Sequence, residues 1–302
     1  MVKGVLKIHK RSMSEKTFDL FNIIFLSVLS MACIYPMLYV IFASLSDPRL
    51  LMQHEGILLK PLGFTWKGYS LVLNNPNISI GYYNTLYYVV VGTLISMILT
   101  CFGGYALSRK GVLFSKYILI LITITMFFSG GLIPFYLLVK DLGIYDTRWA
   151  IILPSAISTW NLIIMRTSFM QIPESLEESA KIDGANDFTV LFRIILPLSM
   201  PIIAVMVLFY GVAMWNSWFN AAIFLRDRST FPLQLILREI LIQNDKGSML
   251  QVQNGISGQA EDMYRALIQY STIVIATLPI LIAYPFLQKY FVKGIMVGSL
   301  KG

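Results

Sequence analysis

Charged side chains are scarce in this sequence and make up only 13% of its 302 residues. Histidine and cysteine are scarcer still, with two residues of each. His9 and His54 are far apart, and Cys33 and Cys101 lie in apolar stretches without the spacing of metal ligands. These shortages argue against a metal centre and against a Ser-His-Asp catalytic site. Catalysis by this chain is therefore not expected.

A phosphate-binding loop is also missing. The sequence has no Gly-x-x-x-x-Gly-Lys motif and no glycine-rich turn that could join a strand to a helix around a nucleotide. No soluble segment carries a basic stripe with interleaved aromatic residues, so nucleic-acid binding is a weak explanation of the net charge of +8. No cofactor is expected on this chain, and if ATP drives its work, the ATP and Mg²⁺ are expected on another subunit.

Apolar residues, in contrast, make up 56% of the sequence, more than is usual in a soluble domain. A membrane-spanning helix needs about 20 predominantly apolar residues, because it must cross roughly 30 Å of hydrocarbon. Six windows meet this requirement, and they predict an all-α, polytopic membrane protein with six transmembrane helices. The windows are Phe21 to Leu45, Asn84 to Leu107, Lys116 to Val139, Trp149 to Met170, Pro201 to Leu225 and Ile268 to Tyr290.

The distribution of basic residues predicts the topology. The first window is expected to remain as an anchor, because no small-x-small cleavage site follows it. If the six helices alternate, fourteen of the 24 Lys and Arg residues fall on the side of the amino terminus. Cytoplasmic segments carry this excess, so both termini are expected in the cytoplasm. Residues 1–19 are expected to form a basic cytoplasmic tail and residues 20–302 the transmembrane domain, with its core at 80–290.

One polar segment, residues 172–195, interrupts the apolar pattern between the fourth and fifth windows. It carries several carboxylates, and a charge at the centre of a bilayer costs roughly 2.5 to 3.5 kcal/mol. The segment must therefore lie in water. We call it the elbow, because Pro173 and Gly184 predict two short helices that meet at an angle. The simplest alternative is an interfacial loop whose charges only keep it soluble.

The first helix of the elbow is predicted to begin after Pro173 and to end at Asp183-Gly184, where glycine can adopt the left-handed conformation of a C-cap. Glu177 and Lys181 are four residues apart, in the favourable order for an exposed ion pair. The other predicted features are an apolar stripe of Leu176, Ala180 and Ile182 and a second helix from Asn186 to Ile195.

The spacing within the elbow is distinctive: Glu178-Ser179-Ala180 is followed by Gly184, Ile194 and Leu196-Pro197. This spacing resembles the EAA loop of ABC-type importer permeases, with Ser179 where that family usually has Ala. The resemblance implies that the elbow docks into a groove of a cytosolic ATPase subunit and moves the adjoining helices. The residues implied in this coupling are Glu177, Glu178, Ala180, Lys181, Asp183, Gly184, Ala185, Ile194, Leu196 and Pro197.

Further motifs are spread over nearly the whole chain: Asn84-Thr85-Leu86, the runs 103–109, 131–134, 214–220 and 231–234, and the carboxy-terminal run 288–302. They resemble the carbohydrate branch of these permeases, the maltose-permease-like group that imports oligosaccharides or polysaccharide fragments. The resemblance implies a type I ABC importer (MetI-like) permease fold in the cytoplasmic membrane of a bacterial cell. It also implies a carbohydrate substrate, a second permease subunit, cytosolic ATPase subunits and an extracellular or periplasmic solute-binding protein.

Two patterns predict how the helices pack. Ser96, Thr100 and Gly104 repeat every four residues, a spacing that lets helices approach backbone to backbone. The run 129–131, Ser-Gly-Gly, is followed by Pro134 and predicts a kink in the third window.

A sugar pathway needs aromatic faces for the pyranose ring and amides for its hydroxyl groups. Trp160 and Asn161 lie midway along the fourth window, and the amide of Asn161 must face the helix bundle or water, because lipid offers it no partner. An interfacial aromatic belt is the alternative role of Trp215 and Trp218. The predicted path residues are Trp160, Asn161, Tyr210, Trp215 and Asn216.

Residues 226–267 form a long segment that is expected to face outward, and a loop of this length is usually functional or disordered. By resemblance it contacts the solute-binding protein; alternatively, it only caps the outer surface. The candidate contacts are Arg238, Gln243, Asn244 and Asn254.

Three other functions are considered at this point, and one of them, a membrane-embedded enzyme or scaffold, is disfavoured by the missing catalytic constellation. A permease of the same type for peptides, amino acids or anions would share the elbow. A proton-coupled secondary carrier would need an ionisable residue at mid-span, and the predicted span centres contain none. Uptake of labelled solutes and co-purification with an ATPase subunit would separate these possibilities.

Overall fold

The structure is a computed structural model that describes residues 12–242, 264–282 and Pro285. Within these residues the regular elements are helices, apart from one isolated bridge between Ser46 and Phe64. The predicted all-α class is therefore confirmed. The described residues belong to two units, one drawn from Met1–Ser70 with Ile256–Val274 and the other from Leu71–Gly255 with Ile275–Gly302.

The helices are numbered in chain order. The first seven are α1 (Met13–Ser44), α2 (Pro48–Gln53), α3 (Lys67–Leu73), α4 (Pro76–Ser108), α5 (Ser115–Ile124), α6 (Leu132–Asp141) and α7 (Trp149–Ile152). The others are α8 (Thr159–Met170), α9 (Glu174–Ile182), α10 (Asp187–Leu198), α11 (Met200–Trp215), α12 (Phe219–Phe224), α13 (Leu233–Ile242) and α14 (Tyr264–Ile282). Helix α4 contains a π-helical turn at Tyr88–Gly92, and α10 contains one at Leu191–Ile195.

The first unit is dominated by α1, a helix of 32 residues. It starts at Met13, before the predicted window, because Ser12 and Glu15 form a capping box at its amino terminus. Its side chains are exposed along most of its length, and they are apolar, which suits a helix that faces lipid. Near its end, the hydroxyl groups of Ser44 and Tyr69 are 2.7 Å apart.

Three helices in the described residues are long and apolar enough to cross a membrane: α1, α4 and α14. Helices α10 and α11 meet at an angle of 86° and would count as a fourth span if the pair forms one. The first, second and sixth predicted windows thus contain continuous helices, although the last residues of the sixth lie outside the described part. The other three windows are helical but interrupted.

Glycine and proline explain two of the interruptions. The predicted kink in the third window is present as a break: α5 ends at Ile124, and α6 follows Gly131, whose φ is 82°. The prediction of one continuous fourth span is wrong, because the chain leaves the helical conformation between α7 and α8. Pro154 lies in that gap and has no N–H to donate to a helix. Asn161 therefore lies in the first turn of α8 and not midway along a span.

The fifth window was predicted to continue as one helix to Leu225, and this is also wrong. Helix α11 ends at Trp215, and the separate short helix α12 begins at Phe219. The side-chain amide of Asn216 donates to the carbonyl of Val212 at 2.9 Å, which caps the end of α11.

The second unit is built on the close packing of α4 against α8. Ser96, Thr100 and Gly104 are all buried, as their spacing predicts. A Cβ atom at Gly104 would lie 3.0 Å from Cγ of Met165 and 3.3 Å from the backbone nitrogen of Arg166, so any other residue would require α8 to shift by a few tenths of an ångström. The core that surrounds this contact contains Met97, Tyr105, Met165, Phe169, Val190, Leu191, Ile195, Met206 and Tyr210.

Candidate functional site

The elbow consists of α9, the turn after it and α10. Helix α9 begins directly after Pro173 and ends at Asp183, and Gly184 has φ of 82°, so its predicted helix ends are confirmed. No atom lies within 4 Å of a Cβ built at Gly184, which means that the backbone conformation, and not space, requires glycine there. Asn186 then caps α10 by accepting a hydrogen bond from the backbone N–H of Thr189 at 2.9 Å.

The buried face of α9 differs from the prediction. Ile182 is 86% exposed and Leu176 is 43% exposed, so the predicted apolar stripe is wrong for both, and only Ala180 is half-buried against the core. The one buried side chain of α9 is Glu177. Its predicted ion pair with Lys181 is present at 2.9 Å, but the expectation that this pair is exposed is wrong for the carboxylate.

Arg109 explains why a carboxylate can be buried at this place. It follows the end of α4 and donates from Nη1 to Glu177, and from Nη2 to the carbonyl of Phe169 at 3.0 Å. Its Nε donates to the hydroxyl of Ser108 at 3.0 Å, and its guanidinium lies 5.1 Å from the centre of the Tyr105 ring. The cation therefore connects the end of α4, the last turn of α8 and the middle of α9.

The role of Arg109 was not predicted from the sequence, although this residue ends the motif 103–109. The signal that could have found it is charge complementarity: Arg109-Lys110 follows an apolar helix, and the elbow carries the nearest run of carboxylates. Lys110 also pairs with Glu174 at 2.9 Å, but both of these side chains are largely exposed. Such exposed pairs stabilise little, about 0 to 1 kcal/mol.

The charges of this cluster support one another. Burial acts to raise the pKa of Glu177, but hydrogen bonds from Lys181 and Arg109 outweigh it, and the pKa of Glu177 lies below its usual value. Hydrogen bonds to Glu177 and Asp187 raise the pKa of Lys181. Both groups are thus held in their charged forms at neutral pH.

The opposite face of α9 is open. Glu178 and Asp183 are exposed, and neither forms an ion pair within the residues that the structure describes. Glu178 also lines a cavity of about 690 Å³ between α4, α9 and α10, together with Arg109, Lys181 and Asp187. Two neighbouring glutamates therefore have different environments: Glu177 is buried and paired, whereas Glu178 faces outward.

The remaining predicted coupling residues hold the elbow to the unit. Ala185, Ile194 and Leu196 pack, half-buried, against the core around Leu191 and Ile195. Pro197 is exposed and lies two residues before the bend at Ser199. These residues thus position the elbow, and its open surface belongs to α9 and the turn after it.

Four of the five predicted path residues come together. Asn161, Tyr210, Trp215 and Asn216 line a cavity of about 1010 Å³ between α8, α11 and α14, with otherwise mostly apolar walls. Trp160 does not line this cavity and is 60% exposed. The structure therefore places the predicted indole of Trp160 apart from the other four residues.

The polar groups in this cavity differ in what they bind. The Tyr210 hydroxyl lies 2.7 Å from Oγ1 of Thr100 and accepts from the backbone N–H of Ser158 at 3.1 Å, so it is satisfied. The indole N–H of Trp215 is buried without a partner in the described residues. The side-chain amide of Asn161 likewise makes no hydrogen bond there. Because Trp215 is only 6% exposed, it does not have the surface position of an aromatic belt.

At the other end of α4 the predicted outward segment begins. Arg238 lies with its guanidinium 4.7 Å from the ring of Trp218, a cation–π contact. Asn84, fully buried, donates to the carbonyls of Ser229 and Phe231 at 2.7 and 3.1 Å and accepts from Arg148 at 2.9 Å. The other predicted contacts with a binding protein, Gln243, Asn244 and Asn254, lie outside the described residues.

Comparisons with known proteins show which family the chain resembles. Residues 92–297 match the family described as binding-protein-dependent transport system inner membrane component. The polygalacturonan/rhamnogalacturonan transport system permease protein YtcP of Bacillus subtilis is 39% identical over 96% of this chain and 100% of its own length. Protein LplC of the same organism is 42% identical over 95% of this chain and 96% of its own length.

A solved structure is similar over almost the whole chain. It is described as the crystal structure of a bacterial ABC transporter involved in the import of the acidic polysaccharide alginate. One of its chains matches with a TM-score of 0.85 and 30% sequence identity, covering 93% of this chain and 99% of that one. The similarity therefore extends over nearly the whole length of both chains.

Proposed function

The chain belongs to the family of binding-protein-dependent transport system inner membrane components, and from this membership we propose its place in an assembly. It is a membrane-embedded permease subunit of an ABC importer, and the hydrolysis of ATP is assigned to other subunits. A second permease subunit completes the path, cytosolic subunits bind ATP and Mg²⁺, and a solute-binding protein outside delivers the substrate. Both termini and the elbow face the cytoplasm.

The proposed substrates are oligosaccharides released from polysaccharides, and fragments that contain uronic acid are the first to test. Support comes from the printed roles of two similar proteins, a polygalacturonan/rhamnogalacturonan permease and an alginate importer. Polygalacturonan and alginate are both polymers of uronic acids. A neutral alternative is represented by the arabinooligosaccharide permease AraQ of Bacillus subtilis, which is 26% identical.

The cavity between α8, α11 and α14 is the proposed part of the path in this subunit. Tyr210 and Trp215 in its lining would contact a sugar ring, and the amide of Asn161 and, once movement of the side chain exposes it, the indole N–H of Trp215 would bind the hydroxyl groups. A buried polar group without a partner costs free energy, and a passing hydroxyl group would satisfy it. The apolar walls bind weakly, which allows the sugar to leave again.

The observation that carries the coupling role is the contrast within α9. Glu177 fixes the helix from inside, while Glu178 and Asp183 remain exposed and unpaired in the described residues. A short helix with an open acidic face fits a groove with basic side chains on an ATPase subunit. When ATP binding closes two such subunits, the elbow transmits the movement to α8, α10 and α11, and the path opens alternately to the two sides.

Reconstitution tests the function directly. The chain, its sister permease, the ATPase subunits and the binding protein are placed in proteoliposomes, and uptake of labelled oligogalacturonate, alginate oligosaccharide, arabinooligosaccharide, tripeptide and amino acids is measured. Uptake of an oligosaccharide that requires ATP is the expected result. Uptake of peptide or amino acid alone, or uptake driven by a proton gradient without ATP, would refute the proposal.

Glu178→Lys tests the docking surface. The substitution reverses an exposed charge that has no partner in the described residues, so folding and membrane insertion should be unchanged, while co-purification of the ATPase and uptake should be lost. Ser175→Lys is a matched control, since Ser175 is also exposed on α9 but lies one turn nearer its start. If the ATPase still co-purifies in full with Glu178→Lys, α9 is not the docking helix.

A further inference from the structure

The joint between α8 and α9 is short, and its own backbone hydrogen bonds form a single turn, from Gln171 to Ser168 at 3.1 Å and from Ile172 to Phe169 at 3.3 Å. Helix α8 ends at Met170 and α9 begins at Glu174, with Pro173 between them. Because Pro173 has no N–H, no continuous ladder of backbone hydrogen bonds runs from α8 into α9, and a force on α9 could bend the chain at the joint. Transmission needs a brace across the joint.

Arg109 provides such a brace. Its Nη2 donates to the carbonyl of Phe169, which precedes the joint, and its Nη1 donates to Glu177, which follows it. One rigid, planar guanidinium thus holds both sides, a geometry that the single ammonium group of lysine does not reproduce. The side chains of Arg109 and Glu177 are only 14% and 11% exposed, so water competes little for these hydrogen bonds.

Apolar packing contributes little to holding α9 against α4 and α8. Glu177 is the one buried side chain of the helix, and Ala180 adds only a half-buried methyl group. Helix α10, in contrast, is attached by the buried side chains of Val190, Leu191 and Ile195. The orientation of α9 therefore depends on an ion pair, while its neighbour depends on hydrophobic contacts.

We propose that Arg109 is a positioning residue for the coupling of ATP hydrolysis to transport, a role that rests on the proposed function. It locks α9 onto the close-packed pair of α4 and α8, so that displacement of the elbow by the ATPase moves these two helices together. The pair of α4 and α8 lines one side of the proposed path through Asn161, and α4 is not connected to the elbow by neighbouring sequence. The brace thus brings a helix from the first third of the chain into the moving body.

Arg109→Ala tests this role in the complete transporter in proteoliposomes. The docking face of α9 is unchanged, so the ATPase subunits should still co-purify and hydrolyse ATP at the basal rate. Stimulation of ATP hydrolysis by the binding protein loaded with oligogalacturonate, and uptake of labelled oligogalacturonate, should fall by roughly tenfold or more, because a charge-assisted buried hydrogen bond is lost at the joint. The ATP consumed for each sugar imported should rise.

Three variants separate positioning from folding. Arg109→Lys should restore part of the uptake, because it keeps the charge opposite Glu177 but not the planar bridge. Glu177→Gln keeps Arg109 but removes the charge of its partner, and it should lower uptake less than Arg109→Ala does. Lys110→Ala removes the neighbouring basic side chain, which is 83% exposed, and should leave uptake unchanged. All values are normalised to the amount of assembled complex.

The results that overturn the proposal are distinct from those that overturn the transport function. If wild-type complex shows no ATP-dependent uptake of oligosaccharide, the proposed function fails. If wild-type complex transports and Arg109→Ala keeps the same uptake and the same ATP consumed for each sugar, the brace is not needed for coupling. If Arg109→Ala instead loses the ATPase subunits, Arg109 acts in docking, and the positioning role is wrong.

Discussion

The two ends of α4 are held by different chemistry. Near its start, Asn84, Thr85 and Tyr88 are buried and bind the backbone of residues 229–233 through uncharged groups, with Arg148 as the one cation. Just beyond its end, Arg109 binds the buried carboxylate of Glu177 and a carbonyl group of α8. The network near the start contains no carboxylate, whereas the ion pair beyond the end responds to acid pH and to charges on a partner.

This difference fits the proposed roles of the two ends. The end proposed to face the binding protein holds residues 229–233 in one fixed position on α4. The end proposed to face the ATPase would accept a load from that subunit, and its charges could be attracted or displaced by it. One end of α4 is thus attached by a fixed network, and the other end is attached by an ion pair that a partner could alter.

Asn84→Ala should have the largest effect on stability. It removes both a donor to two carbonyl groups and the acceptor of Arg148 in a fully buried place, and the cost should be about 3 kcal/mol. Thermal unfolding of the purified complex in detergent measures it. Ser79→Ala, exposed on the same helix, is the control and should have no effect. An equal, small effect of both variants would mean that the outer end is not held by this network.

The local signals in the sequence predicted much of this site, and distant pairings explain what they missed. Pro173, Asp183 and Gly184 act on their own neighbours, so the two elbow helices and the left-handed turn could be read directly. The burial of Glu177 could not be predicted from the sequence, because a carboxylate is normally exposed and its partner Arg109 is 68 positions away. Asn84 was recognised as part of a motif, but its partners lie 145 and 147 positions further on.

The apolar composition of the sequence predicted where the helices lie better than it predicted whether each helix is continuous. The fourth window is apolar on average, and this average hides the effect of Pro154, which removes one backbone donor. The third window was predicted correctly as kinked because Ser129, Gly130 and Gly131 precede Pro134. Three adjacent small residues thus gave a stronger local signal than a single proline within an apolar run.

Gly104→Leu tests the packing between the two ends of α4. It should lower the free energy of unfolding by less than Asn84→Ala does, by about 1 to 3 kcal/mol, because it inserts a large side chain into a packed contact. Its side chain would meet Met165 and the backbone of Arg166, and α4 and α8 would have to move apart. Ala106→Leu adds similar bulk at an exposed position of α4 and serves as the control. Thermal unfolding compares the two. If Gly104→Leu unfolds at the wild-type temperature, the two helices do not form the rigid pair that the brace at Arg109 requires.

Glu177→Gln should have the smallest effect on the unfolding temperature. The dependence of this effect on pH shows that it comes from the charge of Glu177. The pKa of Glu177 in the folded protein lies below the usual 4.5, so its charge stabilises the fold above that pH, and the stabilisation is lost as the pH falls through the lowered pKa. Glutamine cannot titrate. The difference in unfolding temperature between wild type and Glu177→Gln should therefore be constant near neutral pH and shrink below about pH 4.5. In an Asn84→Ala background the difference should shrink in the same way, because the network around Asn84 contains no carboxylate that titrates in this range. A difference that stays constant down to pH 3 would show that the Glu177 carboxylate is not stabilised by Arg109 and Lys181.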